Sequence, residues 1–165
     1  MRWCDGPGET FAFRPIGVIR SAYTETAQIP KGPRAEHHAE GTIEIDPALE
    51  PALADIDGFS HLFVIWAFDR VTETVLVVQP PNDTRQHGVL ATRAPVRPNP
   101  IGLTVVSLRG RDGTRLRVRG VDMLDGTPVL DIKPYMSSVP PGELRRGWLD
   151  EAEAAARASK TEPGR

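Results

Sequence analysis

Apolar residues in this chain fall in short runs between glycines and prolines, at the spacing of strands rather than helices. The segment Glu40–Ile45 alternates strictly, which predicts a strand with Ile43 and Ile45 facing a core and its polar residues facing solvent. The run Leu62–Phe68 is apolar throughout and predicts a strand buried on both faces. Further strands are predicted at Phe11–Arg20 (with Ile16, Val18 and Phe13 on one side), Val75–Val78, Gly88–Ala91, Gly102–Arg109 and Arg115–Val121.

Helical signals are confined to two places. Pro47–Ile56 has the composition of one or two helical turns, entered through Asp46 as a cap with proline at the first helical position. The alanine-rich tail Pro141–Ser159 predicts a surface helix that frays, and residues 160–165 are expected to be disordered. About seven short strands indicate one all-β domain, a barrel or a sandwich, over residues 11–140. Residues 1–10 form an N-terminal extension, and residues 141–165 a C-terminal helix and tail.

The composition mainly excludes certain kinds of partner and site. The net charge of −2 provides no general basic field toward nucleic acid. The single cysteine, Cys4, excludes an internal disulfide and a Cys-based zinc site and fits a reducing, cytoplasmic compartment. The longest apolar run is too short to cross a bilayer, so no membrane segment is expected. No phosphate-binding glycine loop occurs, and the neighbouring His37 and His38 would point to opposite faces of a strand, so no metal site is predicted.

One predicted strand carries arginines along one side. In Arg115-Leu-Arg-Val-Arg119 each arginine alternates with an aliphatic residue. Arg115, Arg117 and Arg119 therefore share a solvated face. The preceding Asp112-Gly113 is a hairpin-turn signal.

The loop Ala91–Gly102 contains three prolines within six residues, which remove backbone donors and fix the chain direction. Arg93, Arg97 and Asn99 project from it. A rigid loop that presents guanidinium and amide groups can orient a carboxylate, a phosphate or a base edge at little entropic cost. The alternative is a structural turn whose arginines face water.

The segment Asp122–Tyr135 concentrates acidic residues around a tight turn at Asp125-Gly126. The carboxylate of Asp125 could cap that turn, or it could hold an amine or ribose hydroxyls. Asp131 and Lys133 lie two residues apart on extended chain, so a structural ion pair between them is favoured over catalysis. His61, after Ser60, is interpreted as a buried, hydrogen-bonded structural histidine.

Four segments in this order resemble the TrmO (TsaA-like, YaeB-like) family. They are Phe13-Arg-Pro-Ile-Gly-Val-Ile-Arg-Ser21, Gly58-Phe-Ser-His-Leu-Phe-Val-Ile-Trp66, Ala91–Gly102 with its Arg-Pro-Asn-Pro-Ile-Gly, and Asp122–Tyr135 with its Asp-Gly-Thr-Pro-Val. The resemblance spans residues 11–136. It implies a small single-domain β-barrel with a short C-terminal helix, acting as a dimeric S-adenosylmethionine-dependent methyltransferase. The best-known members methylate N6 of threonylcarbamoyl-adenosine beside the anticodon of threonine tRNA.

The family's cofactor contacts carry over by position to four groups of residues. These are Pro30, Lys31 and Gly32; Asp69 and Arg70; Arg93 with Val105; and Asp122, Met123, Leu124 and Asp125. On the acceptor side, the hypothesis is that Arg97 and Asn99 bind the substrate and Asp125 orients its amine. Arg93 and Lys31 would act near the anions of the cofactor or the substrate.

The chain departs from its relatives at several basic positions. It has Pro30-Lys-Gly-Pro-Arg34 where many have Pro-Arg-Gln-Pro-Gly, Phe68-Asp69 where most have Phe-His, and Gln79-Pro-Pro-Asn82 for Arg-Pro-Pro-Arg. Longer relatives also carry a C-terminal domain. Two alternatives therefore stand beside the tRNA enzyme: a methyltransferase of a small metabolite, and a non-catalytic barrel that binds S-adenosylmethionine or RNA.

Overall fold

The computed structural model describes residues 10–30, 37–81, 83–136, 140 and 147–161. These residues form eight strands, four short 3-10 helices and one α-helix. The strands are β1 (Gly17–Ser21), β2 (Glu40–Ile45), β3 (His61–Ala67), β4 (Val77–Val78), β5 (His87–Gly88), β6 (Ile101–Asp112), β7 (Arg115–Arg119) and β8 (Pro128–Pro134). The 3-10 helices span Thr26–Gln28, Pro47–Leu53, Ile56–Gly58 and Val89–Ala91, and α1 spans Trp148–Thr161.

Six of the strands close into an antiparallel barrel in the order β1-β2-β7-β6-β3-β8. The long strand β6 makes closure possible, because its first half pairs with β3 and its second half with β7. Inward side chains fill the interior, as expected of a small barrel. The fully buried ones include Ile19, Ile43, Leu62, Val64, Leu116, Val118 and Val129. The predicted all-β barrel with a short C-terminal helix is confirmed.

The alternation in β2 is confirmed, since Ile43 and Ile45 lie in the core. The prediction that Leu62–Phe68 is buried on both faces is wrong for the single chain. Leu62, Val64 and Trp66 are buried, whereas the alternate residues are only partly buried. Strand β3 pairs with β6 and β8 as part of a barrel wall, so its second face forms the outside of the barrel.

Strand β1 is shorter than predicted and presents its other face to the core. Ile19 is buried, Val18 is only partly buried, and Phe13 lies outside the strand with 69% of its surface exposed. Pairing with β2 begins at Gly17, where a Cβ atom would lie 2.2 Å from the backbone oxygen of Glu44. That close approach requires glycine, and it fixes the register that turns Ile19 inward.

Three other predicted elements differ from the structure in extent or in type. The segment Gly88–Ala91 is mostly a 3-10 turn that follows the two-residue strand β5. The Asp46 side chain accepts from the Ala48 backbone, so the predicted cap is confirmed, although the helix it caps is 3-10. The hairpin turn lies at Gly113-Thr114, with Gly113 at φ 57°.

The C-terminal helix is anchored at its start. The Trp148 ring stacks on His87 at a centroid distance of 4.2 Å, and its Nε1 donates to the backbone oxygen of Ala91 at 2.9 Å. Arg85 on the β4–β5 excursion also pairs with Glu151 at 3.0 Å. The helix continues to Thr161, two residues beyond the predicted end at Ser159; residues 162–165 lie outside the described part of the chain.

The strand directions bring three connections to one end of the barrel, because neighbouring strands are antiparallel. These connections span residues 22–39, 68–100 and 120–127. His61 begins β3 at the opposite end; it is exposed rather than buried as predicted, although its Nδ1 lies 3.0 Å from the Ser60 hydroxyl. Among the described residues, no helix is long and apolar enough to cross a membrane.

Candidate functional site

The end of β1 and the turn before β8 are tied together by polar contacts. The Ser21 hydroxyl donates to the Met123 backbone oxygen at 2.8 Å, and the Ser21 backbone N–H donates to Asp125 Oδ1 at 3.2 Å. The Asp125 N–H donates to the Tyr23 oxygen at 2.7 Å. Gly126 completes the turn at φ 79°, a conformation that favours glycine. The Asp125 carboxylate therefore caps β1 rather than its own turn.

Arg70 joins the end of β3 to the same turn. Its Nη2 donates to the Asp125 backbone oxygen at 2.7 Å, while its Nε lies 4.0 Å from Asp69 Oδ2. The second oxygen of Asp125 lies 3.8 Å from Arg20 Nη1. Residues separated by more than fifty positions in the chain thus form one charged cluster at the end of the barrel.

Asp122 is held by a chain of hydrogen bonds that starts in the barrel interior. Trp66 Nε1 donates to Thr104 Oγ1 at 3.1 Å, and Thr104 Oγ1 donates to Asp122 Oδ1 at 2.6 Å. Trp66 and Thr104 are only 7% and 6% exposed, whereas Asp122 is half-buried. A buried hydroxyl with one donor and one acceptor partner is fully oriented, so the carboxylate of Asp122 is positioned by the core.

Met123 and Leu124, which lie between Asp122 and Asp125, differ in burial. The Met123 side chain is buried in the barrel core, so only its backbone is available to a ligand. Leu124 is half-buried, and its backbone oxygen accepts from Thr127. Pro30 is exposed in the β1–β2 connection; Lys31 and Gly32 lie outside the described residues.

The proline-rich loop is held by hydrogen bonds within it and from the preceding connection. Arg97 Nη1 donates to the Thr92 oxygen at 3.1 Å, and the Val75 N–H donates to the Val96 oxygen at 3.0 Å. Arg97 therefore braces its own loop and is half-buried, while Asn99 is exposed. The loop joins the barrel where the Phe68 N–H donates to the Pro100 oxygen at 2.8 Å.

Arg93 and Val105 lie apart from the aspartate cluster. The Arg93 guanidinium donates to the Leu103 backbone oxygen. Leu103 and Val105 face outward on β6, where Val105 is 41% exposed, whereas Thr104 between them faces the interior and holds Asp122. The structure thus brings Asp69, Arg70 and Asp125 together, with Asp122 three residues before Asp125 in the same connection, but leaves Arg93 with Val105 on the outer face of the barrel wall.

The model of the tRNA-methyltransferase O N-terminal domain matches residues 18–140. The chain belongs to the TrmO family. A solved TrmO structure from Pseudomonas aeruginosa superposes with a TM-score of 0.68 at 38% identity, covering 84% of this chain and 62% of that one.

Curated TrmO relatives carry names of two kinds. A probable S-adenosyl-L-methionine-binding protein of Pyrococcus abyssi is 47% identical over 84% of this chain and 76% of its own length. The one from Archaeoglobus fulgidus is 45% identical over 89% of this chain, which spans only 40% of that relative. The tRNA (adenine(37)-N6)-methyltransferase of Escherichia coli is 37% identical over 77% of this chain and 58% of its length.

Sequence reasoning missed the residues that hold the candidate site in place. Ser21, Tyr23, Thr104 and Trp66 position the predicted aspartates, yet none of them was predicted to belong to the site. The signal for Ser21 was its place in the Arg20-Ser21 pair directly after Ile19, because polar residues at the end of a buried strand can reach a neighbouring loop. The signal for Thr104 was a lone hydroxyl among the inward residues of β6.

Proposed function

We propose that this chain is an S-adenosylmethionine-dependent methyltransferase that acts on the N6 nitrogen of threonylcarbamoyl-adenosine beside the anticodon of tRNA, in the cytoplasm. The observation that carries the proposal is the contact of Arg70 with Asp125, in the segment Asp122–Asp125, at one end of a TrmO-family barrel. The name of the Escherichia coli relative supports an adenine N6 acceptor at the anticodon.

The chemistry of the cluster fits the cofactor. S-adenosylmethionine carries an ammonium, a carboxylate, a sulfonium and ribose hydroxyls, which need carboxylate and carbonyl acceptors and at least one cation. Asp122 offers an oxygen without a hydrogen bond from the described residues, and Arg70 offers the guanidinium. We propose that these two residues, with Asp69 and the backbone of 122–125, hold the cofactor. No group of three or more metal-ligating side chains occurs in the described part of the chain.

The bound cofactor supplies an activated methyl group, and the protein supplies position and proton handling. An exocyclic adenine amine is a weak nucleophile because its lone pair is delocalised into the ring. The Asp125 carboxylate is partly exposed and faces Arg20 with one oxygen, so it retains lone pairs that can accept an amine N–H and align the nitrogen. Asn99 and Arg97 on the braced loop are proposed to orient the acceptor base.

The test replaces Asp125 with asparagine, which keeps the shape and the hydrogen bond from Ser21 but removes the charge. Asp57→Asn at the opposite end of the barrel is the matched control. We expect Asp125→Asn to reduce kcat on tRNA at least a hundredfold, as is typical for loss of an acid–base group, with the control unchanged. Nucleoside mass spectrometry identifies the product. Full turnover by Asp125→Asn would contradict the role of Asp125, and methylation of small amines but not tRNA would favour the metabolite alternative.

We also propose that the protein acts as a homodimer through the outer face of β3 and β6. This face is contiguous and apolar, because the register pairs Phe63 with Val105 and Ile65 with Leu103. A patch of this kind on a monomer usually marks an interaction site. It includes Val105 and adjoins Arg93. A dimer would allow these two predicted cofactor residues to serve the partner chain's aspartate cluster.

Light scattering after size-exclusion chromatography tests the assembly. We expect Leu103→Glu to convert a dimer to a monomer and to weaken cofactor binding. Leu49→Glu is the control, since Leu49 is exposed in the 3-10 helix Pro47–Leu53, outside β3 and β6. A wild-type monomer, or a dimer that survives Leu103→Glu, would contradict the proposed interface.

A further inference from the structure

The outer wall formed by β1, β2 and β7 carries arginines in register. Arg20 pairs with Thr42 across β1 and β2, and Thr42 pairs with Arg117 across β2 and β7. The neighbouring rows add Arg115, opposite Glu44, and Arg119, opposite Glu40. Paired residues in a sheet face the same side, so four arginines and two glutamates share this surface. We call it the arginine wall.

Part of the arginine wall is neutralised and part is not. Glu44 Oε2 accepts from Arg20 Nε at 2.7 Å, and Glu44 Oε1 lies 3.0 Å from Arg115 Nη2. These contacts hold the pKa of Glu44 below its usual range, the hydrogen bond from Arg20 being the larger cause. Within the described ranges, Arg117 and Arg119 have no ion pair with an acidic side chain. The wall is therefore locally positive on a chain whose net charge is −2.

The Arg117 side chain lies against the neighbouring strand β6. Its guanidinium lies across the β-bulge at Leu108–Gly110 of β6, and a Cβ atom on Gly110 would be 2.4 Å from Arg117 Nη2. Gly110 has φ 154° at this bulge. The missing side chain of Gly110 provides the space in which the guanidinium rests. Arg117 is exposed and has no ion pair with the described acidic side chains, so its guanidinium is available to an anion.

The wall is continuous with the candidate site, because Arg20 Nη1 lies 3.8 Å from Asp125 Oδ2. Strands are about 4.8 Å apart, so Arg117 lies about 10 Å from Arg20 across the wall. Strands β1, β2 and β7 contain no aromatic residue on which a base could stack. The surface thus suits a phosphate backbone and not an unpaired base.

We propose that the arginine wall binds the sugar-phosphate backbone of the RNA stem that adjoins the methylated nucleotide, with Arg117 and Arg119 making direct phosphate contacts. The proposal rests on the proposed function and adds where the stem lies. On this proposal, strand residues on the side of the barrel add phosphate contacts to those of the loops.

The test measures tRNA affinity as a function of salt for Arg117→Gln, Arg119→Gln and the double variant. Arg157→Gln on α1 is the control, since it removes the same charge elsewhere. The association constant K falls as salt rises, and each lost phosphate contact reduces the magnitude of the slope of log K against log salt by about 0.9. The same loss weakens binding about eightfold at 0.1 M salt. We expect about a sixtyfold loss for the double variant, seen in KM for tRNA, with kcat at saturating tRNA and cofactor affinity unchanged.

Three outcomes decide the matter. Reduced affinity and slope in the wall variants, with Arg157→Gln like wild type and all variants equal in thermal melting, supports the proposal. Wild-type methylation of tRNA with unchanged affinity and slope in the double variant overturns the wall and leaves the proposed function standing. Absence of tRNA binding and methylation by the wild-type protein overturns both.

Discussion

Replacing Thr104 with valine separates a hydrogen-bond relay from simple packing. Valine has nearly the same shape as threonine but cannot accept from Trp66 Nε1 or donate to Asp122 Oδ1, which Thr104 does at 3.1 and 2.6 Å. Thr104→Ser is the matched control, because it keeps the hydroxyl and removes only a buried methyl group. The valine variant therefore keeps the side-chain volume and loses the hydrogen bonds, whereas the serine variant keeps the hydrogen bonds and loses volume.

The expected cost follows from the burial of the three groups. An unpaired buried donor costs about 1–3 kcal/mol, and a hydrogen bond to a charged acceptor contributes about 1.5–3 kcal/mol. Asp122 is half-buried, so water recovers part of the second amount, and the extra methyl of valine offsets about 0.8 kcal/mol. The net loss for Thr104→Val is about 2–3 kcal/mol, against about 1 kcal/mol for the methyl lost in Thr104→Ser.

Urea unfolding provides the assay. With a slope of about 2 kcal/mol/M, Thr104→Val should lower the midpoint by about 1–1.5 M and Thr104→Ser by about 0.5 M. Calorimetry with S-adenosylmethionine should show weaker binding for the valine variant and near-normal binding for serine, because only serine keeps the Asp122 carboxylate oriented. If the serine variant were the less stable of the two, packing would dominate and the relay would be refuted.

Two further outcomes follow from the fold. Gly102→Ala would place a Cβ atom 2.2 Å from the Trp66 ring, in a core with no room to shift, so we expect a loss of about 1–3 kcal/mol or insoluble expression, checked by thermal melting. Hydrogen bonds from Arg85 hold the pKa of Asp83 well below its usual range, so this contact stabilises the folded state above about pH 4. The difference in thermal stability between the wild type and Arg85→Gln should stay constant from pH 7 to about pH 4 and shrink only below that; a difference that shrinks near neutral pH would contradict this contact.

The strands and their local chemistry could be predicted where one side of a segment is buried. The alternation of β2 and β7 follows from period-two burial, and the three prolines predict that the segment Ala91–Gly102 before β6 is a loop and not a central strand. The Asp131–Lys133 ion pair, at 2.7 Å, is a two-residue relationship on extended chain and was also predictable. In each case the determining contacts lie within a few residues of one another.

The site depends on contacts that span most of the chain. Asp125 meets Ser21 across 104 positions and Arg70 across 55 positions. No local pattern encodes these distances, because they follow from barrel closure and from the register of six strands. The inward direction of Ile19 could not be predicted for the same reason, since the contact of Gly17 with β2 sets the register.

The sequence by itself determined the all-β class, the rigid loop, the arginine face of β7 and the resemblance to the TrmO family. Only the tertiary structure decided that β7 lies between β2 and β6, which places Arg117 in one row with Arg20 beside the aspartate cluster. It also decided that Arg93 and Val105 lie on the outer face of the wall while Thr104 holds Asp122 from within. The physical reason is that a strand's residues alternate in direction locally, whereas the neighbours they meet are chosen by closure of the whole barrel.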